Sequence, residues 1–212
     1  MCSGFVFALG VARDMAAARG GHALVVGVDV YSRILDPTDR RTAAIFGDGA
    51  GAAVVGPVRG RGRLRAVRLV TAGSAHELIR VPAGGSRIPA TEESVRAGQH
   101  WFTMDGRAVR EFVTANVPDA VAAFLADNGV APADVRHLVV HQANGRMVDD
   151  LYPRLGLPAA RTHETVRHCG NTGAASIPVT LAAAAPGIAP GETVLLATFG
   201  GGMAMGFALL DW

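Results

Sequence analysis

The sequence contains no lysine, so all 20 of its basic residues are arginine. It has only two cysteines, and aromatic residues make up 6% of its 212 positions. Two thiols are too few for a disulfide framework, which favours a reducing compartment. No apolar run is long enough to span a bilayer, and the N-terminus lacks the charged segment and the cleavage site of a signal peptide. These absences predict a soluble, cytoplasmic protein that does not enter a membrane.

The residues that are present describe a globular chain. Half of them are hydrophobic, 18% are charged and 27 are glycine, a composition too apolar for a disordered protein. The formal net charge of +2 says little about partners. A run of arginines without interleaved aromatic residues favours a solvated strand edge over a nucleic-acid surface. This run consists of Arg59, Arg61, Arg63, Arg65 and Arg68. No metal site is expected, because histidine and cysteine do not recur at ligand spacing.

Hydrophobic periodicity predicts helices that alternate with strands. It predicts a helix over residues 3–19 and, from continuous apolar runs, strands covered on both faces over 23–30 and 50–56. Residues 74–100 lack periodicity, which predicts a long loop. Further helices are predicted at 109–128, 144–156 and 171–185, and strands at 136–142, 162–166, 192–199 and 203–212. This alternation predicts an α/β fold with a mostly parallel sheet, and similar glycine-rich turns at 46–51 and 199–202 indicate duplicated halves.

Three polar side chains stand at positions suited to chemistry. Cys2 precedes the first predicted helix, whose free N–H groups and dipole favour a thiolate; the alternative is an inert small hydrophobe. His141 ends an apolar strand, where open α/β sheets place their ligands; the alternative is a hydrogen-bonded core histidine. Asn171 lies at a strand-to-helix turn, where helix capping is the simpler interpretation.

Two glycine-rich stretches adjoin predicted strands. FGGG at 199–202 is either a plain turn or a set of backbone N–H groups aimed at a ligand, as an oxyanion hole requires. GDGAG at 47–51 does not fit a dinucleotide-binding motif, because a strand follows it where that fingerprint needs a helix. Nucleotide binding through GDGAG is therefore not expected.

Six motifs occur in an order that resembles one known family. They are CSGF at a helix start, DPTDR, IFGDGAGAAV, HQAN, GNTGAAS and FGGG. The chain resembles β-ketoacyl-acyl-carrier-protein synthase III, the thiolase-fold condensing enzyme that starts fatty-acid and some polyketide chains. The resemblance implies a thiolase-like, layered αβαβα fold. It also implies an acyltransferase with acyl-CoA as substrate, malonyl-loaded acyl carrier protein as partner, and no permanently bound cofactor or metal.

The resemblance further implies roles for individual residues. Cys2 is expected to be the acylated nucleophile, with His141 and Asn171 as hydrogen-bond donors to the malonyl thioester carbonyl. The backbone N–H groups of Cys2 and Gly201 are expected to form the oxyanion hole. Coenzyme A or the carrier protein is expected to contact Arg40, Gly106 and Arg146, and the acyl group Ile45, Phe46 and Phe199. The family usually carries an aromatic residue where this chain has Arg110, and Cys169 is expected to be a small space-filler.

The family also carries residues ahead of its nucleophile, so the resemblance implies that this chain begins inside its first half. Residues 1–60 are then a remnant of the N-terminal half, and residues 61–212 are the complete C-terminal half. Because the family dimerises, a homodimer is expected for the full-length protein. Two other functions stay open. One is acyl transfer to an alcohol or amine in natural-product assembly, without decarboxylation; the other is a catalytically inactive fragment.

Overall fold

The computed structural model describes residues 1–59 and 62–212, and its regular elements are as follows. The α-helices are α1 (Gly4–Arg19), α2 (Arg40–Ala43), α3 (Glu92–Arg96), α4 (Gly106–Asp127), α5 (Gly145–Leu151), α6 (Val166–Cys169) and α7 (Ser176–Ala184). The strands are β1 (Ala23–Asp29), β2 (Gly49–Val55), β3 (Arg63–Thr71), β4 (Ile79–Arg80), β5 (Thr103–Met104), β6 (Val135–Val140), β7 (Arg161–His163), β8 (Thr193–Gly200) and β9 (Ala204–Asp211). Short 3-10 turns lie at Tyr31–Arg33, Gly73–Leu78, Pro132–Asp134, Tyr152–Leu155, Gly173–Ala175 and Ala185–Gly187.

A five-stranded mixed sheet forms the centre of the fold, in the order β3–β9–β8–β6–β7. Strand β6 pairs in parallel with β7 and β8, whereas β9 runs antiparallel to both β8 and β3. All residues of β8 after Thr193 are buried, because helices cover both faces of the sheet. The continuous apolar runs at the C-terminal end of the sequence therefore predicted their strands correctly.

Alternate residues of the central strands enter two separate hydrophobic cores. On one face, side chains of β6, β8 and β9 pack with α4 and α5; this core includes Val117, Val121, Leu138, Leu195 and Phe207, each no more than 1% exposed. On the other face they pack with α1 and α7; this core includes Phe5, Val6, Val139, Ile177 and Leu196, also no more than 1% exposed. The first turn of α1 thus packs against the sheet, and this packing fixes the position of Ser3, the residue that precedes the helix.

Strands β1 and β2 form a separate antiparallel pair on the far side of α1 and α7. Its inner face is built of small residues because the chain at 172–178 packs directly on it. A Cβ added at Gly27, Gly49 or Gly51 would lie 2.8 Å from atoms of that segment. The glycines of GDGAG therefore serve close packing, and β2 follows them as the sequence predicted.

The expectation that β1 and β2 are covered on both faces is wrong. Their outer face is open: Leu24 is 68% exposed, Val28 56% and Val54 67%. No element within the described residues packs on that face, so only alternate residues such as Val25 are buried. A continuous apolar run has the same composition whether one or both of its faces are covered, which is why the sequence did not reveal the difference.

The structure also bears on three smaller predictions, which concern the segment at 74–100, the start of α4 and the arginine run. The segment at 74–100 is not a plain loop, since it holds the end of a 3-10 turn, β4 and α3. Helix α4 begins three residues earlier than predicted, at an Asp105 cap that accepts a hydrogen bond from the Ala108 N–H (3.0 Å), and it continues through Pro118. Of the arginine run, Arg63, Arg65 and Arg68 lie on β3, where Arg68 pairs with Asp127, and Arg59 lies ahead of the strand. Arg61 lies outside the described residues, as does the expected domain boundary at 60/61.

Candidate active site

Cys2 lies two residues before the first residue of α1, ahead of the Ser3 N-cap, and it is 4% exposed. The FGGG turn approaches Cys2 most closely at Gly200, which ends β8. A Cβ added to Gly200 would lie 2.6 Å from the Cys2 Cβ. The Tyr31 hydroxyl lies 3.8 Å from the Cys2 sulfur. The thiol is therefore enclosed by a glycine on one side and a phenol on another.

The pKa of Cys2 reflects opposing effects. Burial alone raises the pKa of the thiol, but the neighbouring His141 imidazole lowers it through its charge and a hydrogen bond. The Tyr31 hydroxyl lowers it further, and the resulting pKa is about 7. A substantial fraction of the sulfur is then thiolate at neutral pH, which is the form that attacks carbonyl carbons.

We expect the rate of Cys2 alkylation by iodoacetamide to rise through a midpoint near pH 7. In His141→Ala the midpoint should move upward, because burial remains while the effect that offsets it is removed. The measurement is peptide mass spectrometry of alkylation against pH. The exposed Cys169 in the same sample is an internal control, since it lies outside this cavity. An unchanged midpoint in the variant would contradict the role assigned to His141.

His141 directly follows β6 and is held on three sides. Its backbone N–H donates to the Ala197 carbonyl (2.8 Å), which continues the pairing of β6 with β8. Its Nδ1 lies 2.8 Å from the Ser176 hydroxyl, and its ring packs edge-on against Phe199. The side chain is 1% exposed. The ring is therefore held in place, and Nε2 is the nitrogen that stays free for a ligand in the cavity it shares with Cys2.

Asn171 is held by backbone on both sides. Its N–H donates to the Ile45 carbonyl (2.9 Å), and its carbonyl accepts from the Gly47 N–H (3.0 Å). The Oδ1 atom accepts a hydrogen bond from the Gly173 N–H (3.0 Å). This bond assigns the amide orientation and leaves the Nδ2 group as the donor that can reach a ligand. The capping prediction is wrong, because the Oδ1 bond closes an Asx turn ahead of the 3-10 turn, whose cap residue is Thr172, while the donor end stays available.

Cys2, His141 and Asn171 line one small cavity of about 30 Å³. Phe46 and Phe199 line the same cavity, and their contact with the acyl group stays a prediction. The remaining lining residues are Ile79, Phe102, Met104, Val109, Ala143 and Gly200. Their apolar character excludes water, which strengthens hydrogen bonds from the two donors.

A larger, open cavity of about 560 Å³ lies next to the first one. Met104 borders both cavities, so it stands at the boundary between them. Gly106 lines the open cavity together with Arg41 and Arg80, and its contact with coenzyme A or the carrier protein stays a prediction.

Three of the expected contacts are placed differently. Ile45 lines the open cavity rather than the one around Cys2, so its assignment to the acyl pocket is wrong for this structure. Arg40 and Arg146 are exposed on α2 and α5 and line neither cavity. Cys169 is also exposed rather than a buried space-filler. Arg110, where the family usually has an aromatic residue, forms an ion pair with Asp150 on the surface.

Tyr31 and Phe102 were missed by the sequence analysis. With Phe46 they form an aromatic cluster, in which the Tyr31 and Phe46 ring centroids lie 4.4 Å apart and those of Phe46 and Phe102 lie 4.9 Å apart. Tyr31 is 2% exposed. Burial and the nearby Cys2 raise the pKa of its phenol, so it stays protonated and can donate to the sulfur. No local pattern marked either residue, because the cluster joins three distant parts of the chain.

Two further observations concern the described part of the chain. Within it, no helix combines the length and apolar character that crossing a membrane requires. Nor does that part bring together three histidine, cysteine or acidic side chains that could hold a metal ion.

Comparison with known families agrees with the motif order. The family model for 3-oxoacyl-(acyl-carrier-protein) synthase III matches residues 1–73, and the model for the C-terminal part of the same family matches residues 125–212. Together they include Cys2, His141 and Asn171. The chain belongs to the 3-oxoacyl-(acyl-carrier-protein) synthase III family.

The chain is also similar to individual members of this family. It is 54% identical to acetoacetyl CoA synthase NphT7 of a Streptomyces species and 41% identical to beta-ketoacyl-(acyl-carrier-protein) synthase III 5 of Streptomyces coelicolor. All of this chain aligns, covering 66% and 65% of those proteins. A crystal structure of a 3-oxoacyl-(acyl-carrier-protein) synthase III superposes with a TM-score of 0.92 at 29% identity, over 100% of this chain and 66% of that one. The thiolase-like α/β fold is confirmed, and the chain spans slightly less than two thirds of these relatives.

Proposed function

We propose that this chain carries the reactive centre of a condensing acyltransferase. The enzyme transfers a starter acyl group from acyl-CoA to Cys2 and joins it to a malonyl thioester with loss of CO2, giving a 3-oxoacyl product. The observation that carries this proposal is the convergence of Cys2, His141 and Asn171 on one small cavity. A thiol with a pKa of about 7 supplies the nucleophile, and two hydrogen-bond donors face the same space.

In the first half-reaction, the Cys2 thiolate attacks the acyl-CoA carbonyl carbon. The carbonyl electron pair moves to oxygen, and the backbone N–H groups of Cys2 and Gly201 are the proposed donors to that oxyanion. When the tetrahedral intermediate collapses, the carbon–sulfur bond to coenzyme A breaks, and its thiolate leaves and takes up a proton. Cys2 is then an acyl thioester.

In the second half-reaction, a malonyl thioester enters with its carbonyl oxygen between His141 and Asn171. The bond to the carboxylate breaks, CO2 leaves, and the electron pair forms an enolate. Hydrogen bonds from the imidazole Nε2 and the amide Nδ2 stabilise the negative oxygen. The enolate carbon attacks the acyl group on Cys2, and the Cys2 sulfur leaves as a thiolate. This role for the donor pair favours condensation over plain acyl transfer to an alcohol or amine.

The size of the cavity supports a short starter group. Its volume of about 30 Å³ exceeds the roughly 10–15 Å³ that one water molecule needs, but it leaves little room for a long chain. The rings of Tyr31, Phe46 and Phe102 form one wall. An acetyl group fits this space better than a longer chain.

The open cavity supports an entry route for the pantetheine arm of coenzyme A or of a carrier protein. It passes Gly106 and Met104 on the way to Cys2. Arg40 and Arg146 are proposed contacts for the phosphates of coenzyme A or for an acidic carrier protein, whose encounter would then weaken with salt. The full-length protein is proposed to act as a cytoplasmic homodimer, as its family does, and the two free thiols support a reducing compartment.

A second candidate function differs in the molecule that carries the malonyl group. The 54% identity to an acetoacetyl CoA synthase supports malonyl-CoA, rather than malonyl-loaded carrier protein, as the substrate of the second step. The reacting groups are the same in both cases. Only the carrier of the malonyl group and of the product changes.

The test is intact-mass measurement after incubation with a panel of acyl-CoAs, with Cys2→Ala as control. We expect an acyl-sized mass gain that is largest for acetyl-CoA and absent in Cys2→Ala. Malonyl-CoA and malonyl-loaded carrier protein are then added separately, and the 3-oxoacyl thioester is identified by mass. No acylation in a folded sample would mean that the chain is inactive, and an ester or amide product would favour the sibling transferase.

A further inference from the structure

The Ser176 hydroxyl has no role in the half-reactions above, yet it touches the imidazole. Ser176 is the first residue of α7 and is 0% exposed. Its Oγ lies 2.8 Å from the Nδ1 of His141 and also accepts a weak hydrogen bond from the Gln142 N–H at 3.4 Å. Ser176 thus contacts the ring at Nδ1 and leaves Nε2 free.

The two half-reactions place different demands on His141. While the Cys2 thiolate is paired with a charged imidazolium, both ring nitrogens carry protons, and the Nδ1 proton needs an acceptor. When the neutral imidazole donates from Nε2 to the malonyl oxygen, Nδ1 is unprotonated and needs a donor. A buried nitrogen without its partner loses on the order of 1–3 kcal/mol.

A hydroxyl can meet both demands because it donates and accepts. A carboxylate at the same place would only accept, and would favour the charged ring throughout. The titratable groups next to the imidazole are Cys2, from the segment before α1, and Tyr31 beyond it. Within the described residues, the side-chain hydrogen bond to Nδ1 comes from the Ser176 hydroxyl and not from either of these groups.

We propose that Ser176 is a positioning residue that keeps the Nε2 of His141 directed at the reacting atoms in both of its protonation states. The inference rests on the proposed function, because it assigns the same imidazole to both half-reactions. Ser176 acts through His141 and does not contact the substrate.

The test compares Ser176→Ala with Thr180→Val. Thr180 lies one turn further along α7, is also 0% exposed, and bonds the Thr165 hydroxyl at 2.6 Å, away from His141. Both variants remove one buried hydroxyl from the same helix. In Ser176→Ala we expect malonyl decarboxylation to fall about 10- to 100-fold and the midpoint of Cys2 alkylation to move to higher pH. In Thr180→Val neither quantity should change.

A Ser176→Cys variant fills the same space with a weak hydrogen-bonding group and should shift both quantities in the same direction, which covers the case that the alanine variant folds poorly. Equal behaviour of the Ser176 and Thr180 variants would overturn the proposal, as would a loss of decarboxylation with an unchanged alkylation midpoint. If the unmodified chain is neither acylated nor decarboxylates malonyl-CoA, the proposed function itself fails. A Ser176-dependent alkylation midpoint would still establish the contact.

Discussion

Asn171→Asp is expected to lower malonyl decarboxylation by about 10²- to 10³-fold, the usual cost of losing one donor to a developing oxyanion. The substitution keeps the size of the side chain and the Oδ1 acceptor that the Gly173 N–H uses. It replaces the Nδ2 donor with an oxygen that carries negative charge. That oxygen repels the enolate which the amide stabilises, so the loss falls on the second half-reaction.

The chain offers a matched control in Asn144→Asp. Asn144 caps α5 through its Oδ1, which accepts from the Met147 N–H at 2.9 Å, and aspartate caps helices equally well. Both variants replace an asparagine amide with a carboxylate, but only Asn171→Asp removes a donor from the cavity. Acylation of Cys2, followed by intact mass, should persist in both. Equal decarboxylation by the two variants would contradict the role of the Asn171 amide.

The sequence predicted the elements whose patterns are local. Strands β6, β8 and β9 are continuous apolar runs, and α1 and α4 are long helices with clear periodicity. In contrast, β4 and β5 have two residues each and exist because Ile79 pairs with Met104 across 25 positions of chain. A strand of that kind depends on its partner and leaves no periodic signal.

The same distinction applies to the candidate site. Cys2, His141 and Asn171 each stand at the end of an element, where reactive groups are commonly presented, so the sequence could mark them. Tyr31 and Ser176 act through contacts with residues 29 and 35 positions away, and only the folded chain brings those partners together. The misplacement of Ile45 has a similar cause. Its neighbour Phe46 lines the Cys2 cavity, and consecutive residues around this β-bridge point to different sides.

Gly200→Ala is expected to remove both acylation and condensation, by at least about 100-fold, because a displacement near 1 Å at a reacting atom costs that much. The new Cβ would lie 2.6 Å from the Cys2 Cβ and 2.8 Å from its sulfur, which is closer than such atoms approach. Gly200 ends β8, whose register with β9 is fixed by pairs from Thr193 to Gly200. The strand cannot shift cheaply, so the thiol must move.

Gly202→Ala separates this collision from a general effect of alanine in the turn. Gly202 has a φ of 79°, and a Cβ added there meets nothing within 4 Å. Its substitution therefore carries backbone strain of about 1–2 kcal/mol in stability without contact to Cys2. Measured by intact mass after acetyl-CoA treatment, Gly202→Ala should still acylate, while Gly200→Ala should not. Full acylation of Gly200→Ala would mean that Cys2 has room to retreat, and that the glycine is not what places the thiol.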